Sequence, residues 1–316
     1  MLPFGFSEYL ISVPHDSLQT LRRTLNDTIL GSEQAADLLL TALLARGHAL
    51  VTGPPGIGKT SLASTLAASL GGIFKRLQFT PDLLPSDIIG YNLYRQQNGE
   101  FEFVPGPVFS NLLLADEINR ASPRTQSALL ESMNERQVSI DGETKELPDP
   151  FLVVATQNNT SSTGTFPLPE PQLDRFLLSI PMALPSEDCQ LDILKLHSNE
   201  ALCQDDVPRI LHLVDLIALQ EQVTKLPISD NLQRYLLALC QSARSLAGQD
   251  HVVSVRGTLA LQAAARAYAL LDGQAAVHPD HLQAVFPHVL RHRLLTEDTL
   301  DPDPILDAAL NQTPVP

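Results

Sequence analysis

Apolar residues recur at helical spacing near the start of the chain, where Leu18, Leu21 and Leu25 are followed by Leu38, Leu39, Ala42 and Leu43. This pattern predicts helices over residues 17–30 and 33–46. A short apolar run at 49–51 reads as a strand, a Gly-rich segment follows it, and residues 61–70 return to helical spacing. Apolar runs at 73–79, 111–115, 151–155 and 176–180 are predicted as further buried strands. Helical stretches separate several of them, so the expected fold is α/β, a parallel sheet with helices on both faces.

Two segments interrupt this alternation. In 93–104, Asn98-Gly99 is followed by Phe101 and Phe103 alternating with Glu100 and Glu102; in 137–147, Asp141-Gly142 stands at the centre. Asn-Gly and Asp-Gly between alternating residues predict hairpins with tight type I′ turns, in which two successive residues take positive φ. Phe101 and Phe103 are expected as exposed apolar anchors, with packing on the helix beneath as the alternative. After Pro185 the pattern is helical throughout, with apolar stripes over 210–223, 231–247, 256–271 and 279–290. A domain boundary is therefore expected near 184–187, with residues 301–316 as a short tail that packs loosely.

Length and composition narrow the class. The 316 residues suit two domains at ~100–200 residues each. The net charge of -15 repels a phosphate backbone and argues against a nucleic-acid coat protein, while leaving a locally basic pore open. There is no Trp, so stacking platforms for single strands are not evident. Cys189, Cys203 and Cys240 fit neither a disulfide framework nor a zinc knuckle and read as reduced thiols of a cytoplasmic protein. No apolar run approaches the ~18–20 residues of a membrane span, and residues 1–15 lack the basic start of a signal peptide.

The chemistry concentrates in Gly53-Pro54-Pro55-Gly56-Ile57-Gly58-Lys59-Thr60, a full match to G-x-x-x-x-G-K-[ST] between a predicted strand and a predicted helix. Such a loop turns backbone N–H groups toward phosphates, with Lys59 reaching the β and γ phosphates and the Thr60 hydroxyl ligating Mg2+. Gly53 through Thr60, with Ser61, form the expected ATP-binding set. The apolar run 111–115 leads into Asp116-Glu117 on an expected neighbouring strand. Asp116 is expected to hold Mg2+ and Glu117 to orient or deprotonate the attacking water. On spacing alone, Asn158 after its strand reads as a turn former, and Arg175 and Arg256 read as solvated or salt-bridged. His288 and His292 share a helical i, i+4 spacing and are expected on a surface helix, not as a metal pair.

Taken together, these residues resemble a MoxR-type ATPase of the AAA+ superfamily, over residues 31 to 293. Beyond the P-loop, the resemblance rests on residues 78–87 (QFTPDLLPSD), 106–109 (GPVF), 115–121 (ADEINRA), 155–158 (ATQN) and 168–176 (LPEPQLDRF). It implies an AAA+ P-loop sheet domain over 1–186 and a small all-helical lid over 187–300. The hairpins at 93–104 and 137–147 would be the helix-2 insert and the pre-sensor hairpin. It further implies that Asn158 is sensor 1, that Arg175 is an arginine finger reaching a neighbour's ATP, and that Arg256 is sensor 2. Those roles replace the readings from spacing. The implied assembly is a homo-oligomeric ring, a hexamer, acting as a chaperone-like remodeller of client proteins or metal centres beside a von Willebrand factor A domain protein. Where the family carries Pro after the sensor Asn, this chain has Asn159. A nucleic-acid motor and a nucleotide-switched scaffold with little turnover are the rival classes.

Overall fold

A computed structural model of the chain describes residues 12–28, 31, 33–97, 99–157, 164–199, 208–248, 253–295 and 301–316. Helices α1 (Ser12–Thr28) and α2 (Glu33–Leu44) open the chain, followed by β1 (Ala49–Thr52), α3 (Lys59–Leu70), β2 (Phe74–Gln78) and α4 (Pro85–Ile89). The first hairpin is β3 (Gly90–Arg95) with β4 (Glu100–Pro105); then come β5 (Leu112–Asp116) and α5 (Pro123–Glu135). The second hairpin is β6 (Gln137–Ile140) with β7 (Glu143–Glu146), before β8 (Leu152–Gln157), α6 (Glu170–Leu173) and β9 (Leu178–Pro181). Helices α7 (Glu187–Asn199), α8 (Leu213–Lys225), α9 (Asp230–Ala247), α10 (Val255–Leu271), α11 (Pro279–Leu294) and α12 (Asp303–Gln312) complete it.

Five parallel strands form the central sheet in the order β2-β5-β8-β1-β9. Alternate residues of these strands serve opposite faces, as the pleat requires. Leu112, Leu114, Leu152, Val154, Ala49 and Val51 face one apolar cluster, while Leu113, Ala115, Val153, Ala155 and Leu50 face the other. β5 is buried along its whole length, as expected for an interior parallel strand. β2 departs from the sequence expectation: it is the sheet's edge, and Lys75, Arg76 and Gln78 stay exposed because no strand covers that side. β5 also differs from expectation in that β8 separates it from β1.

Both interrupting segments are antiparallel hairpins. Asp141 and Gly142 take φ values of 52 and 85, the two successive positive values of the expected tight turn. The first hairpin is wider, because Arg95 pairs with Glu100 and leaves four residues to turn. The Gly99 N–H donates to the Arg95 carbonyl at 2.9 Å across that loop, whereas Asn98 lies outside the described residues. This register sets Tyr94 opposite Phe101, with ring centroids 5.2 Å apart. Phe101 is exposed, but Phe103 turns inward onto Phe109 beneath the Lys145 ammonium, so only one of the two expected anchors is free.

The lid helices continue the first cluster without a break. Leu39 of α2, Leu219 of α8, Leu261 of α10, Val285 of α11 and Leu306 of α12 belong to the same buried set as the sheet residues. Ser229 and Ser254 cap α9 and α10 by accepting backbone N–H bonds, each cap worth about 1 kcal/mol. The segment from Asp301 is not the loose tail expected from its sequence: α12 buries Leu306 and Ala309 against α9 and α11. His288 and His292 are likewise not on a surface helix. α11 packs on β9, with a His288 ring nitrogen 3.3 Å from the Ser179 carbonyl and a His292 ring nitrogen 3.2 Å from the Phe176 carbonyl. Burial lowers the pKa of His288 to about 4 and that of His292 well below its ordinary value, so both rings are neutral at pH 7. Among the described residues, no helix is long and apolar enough to cross a membrane.

Candidate functional site

Residues 53–58 leave β1 at its C-terminal end and enter α3. Gly56 and Gly58 hold φ values of 80 and 88, where a side chain would strain the backbone, and a Cβ on Gly56 would meet open space. Gly53 is fixed by a different need: a Cβ there would sit 2.2 Å from the Met182 carbonyl oxygen at the end of β9. The result is a glycine-shaped loop in front of the positive end of a 12-residue helix, the setting in which backbone N–H groups can bind an anion. Lys59 is buried and its Nζ donates to the Gly53 carbonyl at 2.7 Å. Burial lowers the pKa of its ammonium, while the charges of Asp116 and Glu117 oppose that shift.

Asp116 ends β5 and is buried, beside the acid pair's partner on the next residue. Its Oδ2 accepts from Arg76 Nε at 2.7 Å, and its Oδ1 accepts from the Thr156 hydroxyl at 3.2 Å. Glu117 takes φ 54, a left-handed value costly for a residue with a Cβ. The Thr156 hydroxyl holds that turn by accepting the Glu117 N–H at 2.9 Å. Glu117 Oε2 is 3.0 Å from Arg120 Nη1. The P-loop lysine and both acids therefore gather at the C-terminal edge of the sheet, where ligands of open α/β folds bind.

Arg175 and Arg256 lie elsewhere. Arg175 precedes β9, and Leu178 of that strand pairs with Ala49 at the start of β1. The four residues of β1 thus separate its level from the P-loop, a rise of about 13 Å in a parallel strand. Arg175 and Arg256, the latter in the first turn of α10, line one groove with a cavity of about 320 Å³. The Arg256 guanidinium donates to Asn134 at the end of α5. Arg46 and Arg136 also line this groove, and Asp149 is their shared counter-ion. His48 forms part of its wall, accepting the Val153 N–H at 3.0 Å through Nδ1 and contacting the Met133 carbonyl at 3.1 Å through Nε2. Burial first, then the nearby arginines, lowers its pKa to about 4, so it adds no charge. Asn158 lies outside the described residues.

Residues 48–178 match the ATPase family associated with various cellular activities (AAA), and residues 237–312 match the AAA lid domain. An uncharacterized Bacillus subtilis protein is 46% identical over 86% of this chain and 84% of its own length. Chaperone MoxR1 of Mycobacterium tuberculosis is 40% identical over 99% of this chain and 86% of its own length. The chain belongs to the MoxR-type AAA+ ATPases. The crystal structure of a provisionally named ATPase from Cytophaga hutchinsonii superposes on this MoxR-type chain with a TM-score of 0.85, at 33% identity and 96% coverage of both chains. The parallel sheet and helical lid are thus those of the family.

Two residues of this MoxR-type site escaped the sequence reading. Thr156 sits in an apolar strand, where a hydroxyl needs a partner, and that need was its available signal. Arg76 lacked one, because its contact with Asp116 depends on which strand lies beside β5.

Proposed function

We propose that this chain hydrolyses ATP in a ring, each site combining Lys59, Thr60, Asp116 and Glu117 of one subunit with Arg175 and Arg256 of the next. The observation that carries this reading is the placement of the two sets at opposite edges of one sheet. A separation of that size exceeds the reach of an Arg side chain, which supports an arginine supplied to each P-loop by a neighbour. Two arginines in a shared groove suit the phosphates of a nucleotide held by a neighbour.

Thr60 and Asp116 supply the hard oxygen donors that Mg2+ prefers, so the residues fit that ion. Bound there, Mg2+ neutralises phosphate charge. Arg76 occupies Asp116 Oδ2, and its half-exposed side chain is free to withdraw when the carboxylate takes up its ligand role. Glu117 orients the attacking water, and Asn158 is assigned to the same water or the γ-phosphate. The name of the Mycobacterium tuberculosis relative supports a chaperone-like task on client proteins; a hexameric ring and a von Willebrand factor A domain partner in the cytoplasm are further parts of the same proposal.

Lys59→Ala is expected to weaken ATP binding by about 1.5–3 kcal/mol or more, since it removes a charge-assisted phosphate contact. Isothermal calorimetry measures this directly. Unchanged affinity would remove the P-loop from the nucleotide site.

The exposed pair Tyr94 and Phe101 marks the first hairpin as a contact for a client. Replacing residues 95–102 with a short Gly/Ser turn is expected to spare basal ATPase activity and to weaken client binding. Loss of folding in that variant would show the hairpin to be structural.

A further inference from the structure

Asp174 stands one residue before Arg175 and is tied to both lid helices that reach this edge. Its Oδ1 accepts from Arg293 Nε at 2.6 Å, and its Oδ2 accepts from the Ser254 hydroxyl at 2.9 Å. Ser254 is the N-cap of α10, two residues before Arg256, and its Oγ also accepts the Gly257 N–H at 3.0 Å. Arg293 comes from α11 and is buried. Its Nη2 donates to the carbonyls of Phe176 at 2.8 Å and Asp174 at 3.4 Å, and its Nη1 to those of Leu177 at 3.2 Å and Val289. The backbone on both sides of Arg175 is therefore gripped by one lid side chain. On the other flank, a Cβ on Gly257 would come within 3.1 Å of Arg293, so a larger residue after Arg256 would push this side chain by a few tenths of an ångström.

We propose that Asp174, Ser254 and Arg293 form a latch that fixes Arg175 and Arg256 relative to each other, so that both arginines meet a neighbouring subunit's nucleotide as one unit. The inference rests on the reading of the groove given above. The three are positioning residues. Two like charges side by side repel, and two long side chains have many rotamers. Donors aid a reaction most when they are already in place, and a displacement of 1 Å lowers a rate by on the order of a hundredfold. Asp174 offsets the buried charge of Arg293 with one oxygen and holds the cap of the Arg256 helix with the other. A movement of either arginine is thereby passed to the other through a single carboxylate.

Asp174→Asn keeps the shape of the side chain and removes its charge. In the full chain with ATP and Mg2+, its kcat is expected to fall by on the order of a hundredfold, while ATP affinity by calorimetry stays unchanged. Mixing with Lys59→Ala subunits, whose latch and finger are intact, is expected to recover turnover. Ser254→Ala should lower kcat in the same direction by less, and Ser254→Thr, which keeps the hydroxyl, should restore it. Arg175→Ala measured in parallel separates two failures. If Arg175→Ala loses turnover and is complemented, yet Asp174→Asn and Ser254→Ala keep wild-type kcat, the latch is wrong and the reading of the groove stands. If Arg175→Ala itself keeps wild-type turnover, that reading fails and takes the latch with it. Should Asp174→Asn not fold, the Ser254 variants decide alone. A wild-type kcat in Ser254→Ala, or a loss that neither Thr nor mixing recovers, overturns the proposal.

Discussion

Glu117→Gln is expected to bind ATP as the parent chain does and to release phosphate about a hundredfold to ten-thousandfold more slowly. The amide has the size of the carboxylate and is held in the same place. Its backbone N–H still reaches the Thr156 hydroxyl, and the left-handed turn that aims the side chain is unchanged. The contact with Arg120 survives through the amide oxygen, without its charge. Asp116 is untouched, so the ion site keeps its donor. What disappears is the ability to take a proton from water. Calorimetry and a phosphate-release assay together check this. Near-normal release would mean that another group positions the water.

Arg175→Ala should leave ATP binding intact and slow hydrolysis by on the order of 10³–10⁵, the range seen for finger arginines in other P-loop enzymes. Charge builds on the phosphate oxygens as the bond to the leaving oxygen loosens. Lys59 offsets part of it from within the subunit, and an arginine from next door offsets more. On the proposed arrangement the two edges of the sheet cooperate across a subunit boundary, so activity is expected to rise with assembly. Mixing Arg175→Ala with Lys59→Ala subunits should restore some turnover, because the first supplies intact ATP sites and the second intact fingers. Two results would sink the trans assignment. One is a failure to complement in rings shown to be mixed; the other is a monomer that hydrolyses at the full rate.

The parts of this molecule legible in the sequence are those set by local chemistry. The continuous apolar runs that enter 112–116 and 152–157 name their strands because both faces are buried and every position must be apolar or partnered. Asp141-Gly142 names its turn because positive φ twice in succession selects those residues. The P-loop reads off its glycines for the same reason. What stayed hidden depends on neighbours distant in the chain. Arg76 meets Asp116 only because β2 lies beside β5. His288 and His292 look like surface residues until α11 is laid on β9 and their rings find backbone carbonyls. α12 is only ten residues long, with Leu306 and Ala309 buried and Ile305 and Leu310 partly so, and it packs on α9, distant in the chain, as well as on α11. The first hairpin misled because its register was read from Asn98-Gly99, whereas the cross-strand pair Tyr94–Phe101 and the Arg95–Glu102 ion pair belong to a wider turn.

The sequence boundary near residue 186 separates motifs but does not separate cores. One apolar cluster runs from α1 and α2 through β1 and β9 into α8, α10, α11 and α12. Truncation of a leucine buried in this cluster to alanine is expected to cost about 2–5 kcal/mol of a stability that the two halves share. Heat or denaturant should therefore meet a single cooperative melt, with no lid that comes apart first. A piece ending at residue 186 would bare the flank of α2 and β9 that α10 and α11 now cover, and such a sticky surface drives aggregation. Sheet and lid thus share one buried core, and the fate of each on unfolding is expected to follow that of the other.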